Sequence, residues 1–226
     1  MFVLPRYLSR FYLPKTEIGR MLFLSVSFSA LLLAARIFYT GTPAFIFLGW
    51  NLFLAFLPYV ITIFLARNPA WVANKWTFGV AFFTWLVFIP NSFYIITDLF
   101  HLRQNWNSPI WFDLLLILSF AWNGLLMWIL SIRQMEKFIA GFWGKRHELY
   151  FLFPIMWLNA LGVFIGRYLR FNSWDIVTNP FRLGIDMVYL VTHPITYKNA
   201  WGMIFCFSFF MTLLYLSIKR ISKLIW

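Results

Sequence analysis

The chain has 226 residues, of which 62% are hydrophobic, 23% aromatic and only 12% charged, with a net charge of +12 and a mean hydropathy of +0.75. Soluble domains carry about 25% charged residues, so the composition excludes a soluble globular fold and a disordered chain. Its apolar runs are continuous and longer than the ~10-residue alternating segments of a membrane β-barrel, which leaves an all-α, polytopic transmembrane helix bundle.

At ~20 apolar residues per span, the sequence predicts six transmembrane helices in one integral membrane domain over residues 1–226. They cover about 21–39, 44–66, 76–97, 111–132, 150–166 and 200–218. The first run follows Arg6, Arg10, Lys15 and Arg20. It is too long for an ordinary signal-peptide core and no small-x-small cleavage site follows it, so a retained first helix is expected.

Lys and Arg set the orientation. Segments 1–20, 67–75, 133–149 and 219–226 hold 4, 2, 4 and 3 of them, thirteen of the 19 in the chain. Basic residues collect on the cytoplasmic side, so both termini are expected there. The same bias accounts for most of the basic excess without nucleic acid as a partner. The six remaining bases are Arg36, Arg103, Arg167, Arg170, Arg182 and Lys198. Four of them fall in the last outer connection, together with Asp175 and Asp186. Arg182, Asp186, His193 and Pro194 argue against a seventh span there, and a surface-lying helix over 181–192 is expected instead. The single cysteine, Cys206, lies in an apolar run and reads as a packing residue.

Helix 2 carries Trp50-Asn51 and then Ala55, Pro58 and Thr62 at helical spacing, a small or polar stripe of the kind that packs helices together. Helix 3 ends in Ile89-Pro90-Asn91-Ser92-Phe93-Tyr94-Ile95-Ile96-Thr97-Asp98-Leu99-Phe100-His101-Leu102. At 100° per residue, Asn91, Tyr94, Asp98 and His101 share an arc of about 80°. Ionisable groups within a membrane span are costly and face a protein interior, a cavity or the interface. Asp98 and His101 are therefore the candidate catalytic pair, as general acid and base or as a carboxylate orienting an imidazole. With Asp113, at the start of helix 4, they are also candidate ligands for a divalent metal. The plainer readings are an interfacial polar cap for the pair and helix-dipole compensation for Asp113.

Helix 5 ends in Gly162-Val163-Phe164-Ile165-Gly166-Arg167-Tyr168-Leu169-Arg170, followed by Phe171-Asn172-Ser173-Trp174-Asp175. G-x-x-x-G permits close helix packing. Asn159, Gly166 and Arg170 share that face. Arg167 and Arg170 are candidates to hold a phosphate or carboxylate, whose geometry arginine matches with two hydrogen bonds. Pairing with aspartates or snorkelling to headgroups would equally explain them. His147 and His193 are weaker candidates, and metalloprotease, phosphate-loop, nucleophile-elbow and zinc-cluster signatures are absent from the sequence.

Three blocks, Trp50-Asn51-Leu52-Phe53-Leu54-Ala55 with Pro58, Pro90 to Leu102, and Gly166 to Asp175, resemble a family of uncharacterised bacterial integral membrane proteins, domain of unknown function 1361. Ser92 departs from the alanine that the resemblance implies at that position. The resemblance implies the fold class and a multi-pass location in the bacterial inner membrane, and it supplies no activity.

Topology gathers the polar blocks on the outer side. The expectation is an extracytoplasmic pocket in which Asn51, Asn91, Tyr94, Asp113, Arg167, Arg170, Asn172 and Asp175 bind a ligand. That ligand would be an anionic lipid or envelope-precursor headgroup with an associated divalent metal, and Asp98 and His101 would carry any chemistry. Two alternatives stand beside it: a non-catalytic scaffold or assembly factor whose charges form a structural ion-pair network, and a small transporter.

Overall fold

A computed structural model of the chain describes residues 16–102, 108–143 and 148–224. Among these residues the fold is all helical. Six helices are long and apolar enough to cross a membrane. The first is α1 (Thr16–Thr40), followed by α2 (Phe47–Arg67), the short α3 (Pro69–Ala73) and α4 (Lys75–Tyr94). α4 continues directly into a 3-10 segment, Ile95–His101, and α5 spans Ile110–Trp143. Then come α6 (Glu148–Phe164), a π-helical turn (Ile165–Leu169), α7 (Asp175–Thr178), α8 (Pro180–Thr192) and α9 (Lys198–Leu224).

Each of the six expected spans corresponds to one long helix, and one of them extends well past its expected end. α5 has 34 residues, about 51 Å at 1.5 Å per residue, against a hydrocarbon core of ~30 Å. The apolar run predicts an end to this span at residue 132, where polar residues begin. Polarity ends a membrane run, but Arg133, Gln134, Glu136 and Lys137 are all competent helix formers and the helix continues through them. A helix also forms where a surface-lying one is expected over 181–192: α8, begun by Pro180 at its first position, where the missing N–H costs nothing.

The chain forms two compact units, Met1–Ile139 and Ala140–Trp226. In the first, α2 and α4 pack along their lengths. α1, α2, the 3-10 segment and α5 share a core that includes Leu22, Phe45, Leu48, Leu52, Ala55, Ile95, Leu116 and Phe120. Buried polar groups tie this core together. The Trp85 indole N–H of α4 donates to Ser131 Oγ of α5 at 2.7 Å, and Ser131 donates to the Pro58 carbonyl of α2 at 3.0 Å. Between α1 and α5, Asn123 Nδ2 reaches Ser29 Oγ at 2.9 Å. Gly124 lets α5 approach the end of α4, because a Cβ there would stand 2.7 Å from the Ser92 carbonyl oxygen and 3.0 Å from Ile95 Cδ1. Ser92 Oγ in turn donates to the Ala55 carbonyl at 2.8 Å. In the second unit α6 packs against α9, with Trp157 and Trp201 stacked at 6.2 Å between ring centroids.

Candidate functional site

The Pro90–Leu102 block is helical throughout, but its geometry changes at Tyr94. Pro90 sits inside α4, and from Ile95 to His101 the chain winds as a 3-10 helix. A 3-10 helix has three residues per turn, so residues three apart eclipse rather than diverging by 60°. Ile95, Asp98 and His101 therefore form one row, in place of the 100° stripe expected from the sequence. Ile95 is buried in the core, Asp98 is 1% exposed, and His101 is half-buried.

This row runs antiparallel to α2. Asn51 Nδ2 donates to Asp98 Oδ2 at 2.8 Å, and the His101 ring meets the Phe47 ring edge-on, 5.1 Å between centroids. The two contacts repeat for a geometric reason. Three residues of 3-10 helix rise about 6 Å, as do four residues of α-helix, so Asp98-to-His101 matches Asn51-to-Phe47. Asn91 instead turns back on its own helix, with Nδ2 donating to the Phe88 carbonyl at 3.0 Å. The carbonyl of Tyr94, which is half-buried, accepts from Thr97 Oγ1 at 2.6 Å.

Asp113 is held elsewhere. It lies in the first turn of α5 and takes Arg36 of α1 in a buried ion pair, Nε to Oδ1 2.7 Å, the two side chains 0% and 1% exposed. A second contact, Nη2 to Oδ2, measures 3.5 Å. The Arg36 guanidinium also lies over the Phe45 ring, its Cζ 4.2 Å from the centroid. Its Nη1 is buried without a hydrogen-bond partner among the described residues. Phe45 meets Phe47 at 5.9 Å, so the ion pair and the Asp98–His101 row share one end of the first unit through two rings. Arg36 is the principal residue here that the sequence pattern does not assign to the site. Its signal was a charge about one turn inside an apolar span, at a depth matching that of Asp113.

The suggested metal ligands are thus committed to different partners: Asp113 to Arg36, and Asp98 to Asn51. Among the described residues, no group of three or more His, Cys, Asp or Glu side chains is arranged to hold a metal ion.

The second unit carries the other expected residues. The G-x-x-x-G helix ends at Phe164 and widens into the π turn containing Gly166 and Arg167, which breaks the regular spacing from Asn159 to Arg170. Asn159 is buried and donates to the Ile155 carbonyl at 2.8 Å. Arg170 closes the turn in the left-handed conformation, φ 58° and ψ 33°. Its N–H and that of Phe171 both turn back to the Ile165 carbonyl. Glycine is the usual residue for such a cap, and a non-glycine residue there costs about 1–3 kcal/mol. Asp175 organises the next turn. Its carboxylate accepts from the Asn172 N–H at 2.6 Å and from Thr178 Oγ1 at 3.0 Å. The Asn172 backbone hydrogen bond, the largest influence, holds the Asp175 carboxyl below its ordinary pKa, with side-chain hydrogen bonds from Thr178, Asn179 and Asn172 adding to it. Arg182 lies over the Phe171 ring, 5.5 Å from Cζ to centroid.

No curated relative and no solved structure matches the chain. A family model does match, over residues 50–214, and this range contains the Asp98–His101 row, Asp113 and the Arg167–Asp175 turn. The chain belongs to that family, described as protein of unknown function (DUF1361).

Proposed function

We propose that the end of the first unit carrying Asn51, Asp98 and His101 binds the polar headgroup of an envelope lipid or lipid-linked precursor, on the extracytoplasmic face of a bacterial inner membrane. The carrying observation is the buried Asp98 carboxylate, held by Asn51, with His101 eclipsed one turn further along and more exposed. A fixed acceptor next to a group that both donates and accepts suits a ligand hydroxyl or ammonium, and the same pair can move a proton between them. Asp113 already matches the Arg36 charge, so the local electrostatics favour a hydroxyl- or ammonium-bearing headgroup over a bare phosphate. The distribution of Lys and Arg supports placing this end on the outer face.

The test is lipid analysis of protein purified in native-membrane nanodiscs, for wild type, Asp98→Asn and His101→Ala. A lipid class enriched with the wild type and lost from both variants is expected. Identical lipid profiles in all three would sink the reading.

A structural role is the second reading, favoured by the internal partners that Asp98 and Asp113 both possess. It predicts that Asp98→Asn lowers thermal stability while no lipid extract stabilises the wild type selectively. Ligand-specific stabilisation of the wild type would separate the two readings.

A further inference from the structure

α8 lies between two membrane-length helices and presents two apolar sides. On the helical wheel Phe181, Ile185 and Val188 fall within about 60° of one another, and they are 87%, 56% and 62% exposed. Leu190 projects from the opposite side and is buried. Its carbonyl accepts a hydrogen bond from the Trp201 indole N–H at 3.1 Å. Trp201 belongs to the first turn of α9, which is apolar enough to cross a membrane. The bond therefore ties α8 to the first turn of that helix, and tryptophan is enriched where spanning helices meet the membrane–water interface.

The charge around α8 is selective. The connection from Ile165 to Asn199 holds Arg167, Arg170, Arg182 and Lys198 against Asp175 and Asp186. Arg170 is exposed, and it occupies a backbone conformation that glycine adopts more cheaply. Arg182 is aligned by the Phe171 ring. We propose that α8 lies in the plane of an anionic phospholipid leaflet, with Phe181, Ile185 and Val188 among the acyl chains and Arg170 and Arg182 at the headgroup phosphates.

The test places an environment-sensitive fluorophore at Ile185→Cys or Asp186→Cys, in full-length protein carrying Cys206→Ser. The protein is reconstituted in phosphatidylcholine vesicles containing an equal fraction of spin-labelled phosphatidylcholine or spin-labelled phosphatidylglycerol. The label at 185 is expected to be quenched from the lipid, about twofold or more strongly by phosphatidylglycerol. The label at 186 is expected to be quenched chiefly by an aqueous nickel complex. Arg170→Gln with Arg182→Gln brings the lipid preference to parity, whereas the corresponding double lysine variant keeps it. Aqueous quenching of 185 matching that of 186, equal quenching by the two lipids, or shielding of 185 from both phases by a second protein copy overturns the proposal.

Discussion

Replacing Asp113 with alanine removes one half of an ion pair whose members are 0% and 1% exposed and 2.7 Å apart. Charges that close attract by about 6 kcal/mol at an effective dielectric constant of ~20. Desolvation costs several kcal/mol per ion and offsets most of that, so the intact pair is worth little against an apolar replacement. Breaking it is a different matter, because Arg36 would keep its buried charge without a counter-ion. Its Nη1, already without a hydrogen-bond partner among the described residues, offers no compensation. The expected loss is about 3–5 kcal/mol. At about 2–4 °C per kcal/mol for a chain of this size, that is a fall of roughly 6–20 °C in apparent Tm. Arg36→Met combined with Asp113→Leu should recover most of the loss. The assay is fluorescence-detected size-exclusion chromatography after heating in mild detergent, repeated in nanodiscs. Two results would refute the reasoning: single variants within ~1 kcal/mol of wild type, or a double variant as unstable as the two single losses added together.

Further outcomes follow from other contacts. Ser131→Ala leaves the buried Trp85 N–H without its acceptor and should cost about 0.6–2 kcal/mol, read by the same heating assay. Gly124→Ala should cost about 1–3 kcal/mol through overpacking, because the added methyl would meet the Ser92 carbonyl oxygen at 2.7 Å. Gly79→Ala, where a Cβ meets nothing within 4 Å, should be neutral or stabilising by up to ~1 kcal/mol; the reverse order for the two glycine variants would contradict the packing described. Asp175 has a lowered folded-state pKa, so its contribution is present above the ordinary carboxylate value and is lost as pH falls through the lowered one. Hydrogen exchange at the Asn172 amide should therefore stay protected from neutral to mildly acidic pH and lose protection only in stronger acid. Asp175→Asn should weaken that protection at neutral pH.

The spans were legible because hydropathy over ~20 residues integrates many small signals. Asp98 and His101 were legible as a pair because three residues apart is close on either helix type. Their true alignment was not, since a 100° and a 120° step cannot be told apart over two turns. Where the 3-10 winding begins, Gly124 of α5 stands close against Ser92 and Ile95, a contact between residues about 30 positions apart that no local pattern announces. The Arg36–Asp113 pair joins residues 77 positions apart, and apart from their matching depth in two apolar spans neither residue carries a local sign of its partner. The apolar run ends at residue 132, yet Gln134, Met135 and Glu136 remain buried along α5, where burial no longer tracks hydropathy.

The 3-10 segment and α2 behave as a vernier. One scale advances about 2.0 Å per residue and the other about 1.5 Å, so their marks coincide only every third and fourth residue. Inserting or deleting one residue between Ile95 and Asp98 would shift both coincidences together. Asn51–Asp98 and Phe47–His101 are thus a single setting of the backbone, and length variation in this short stretch should be tolerated far less than side-chain variation on its outer face.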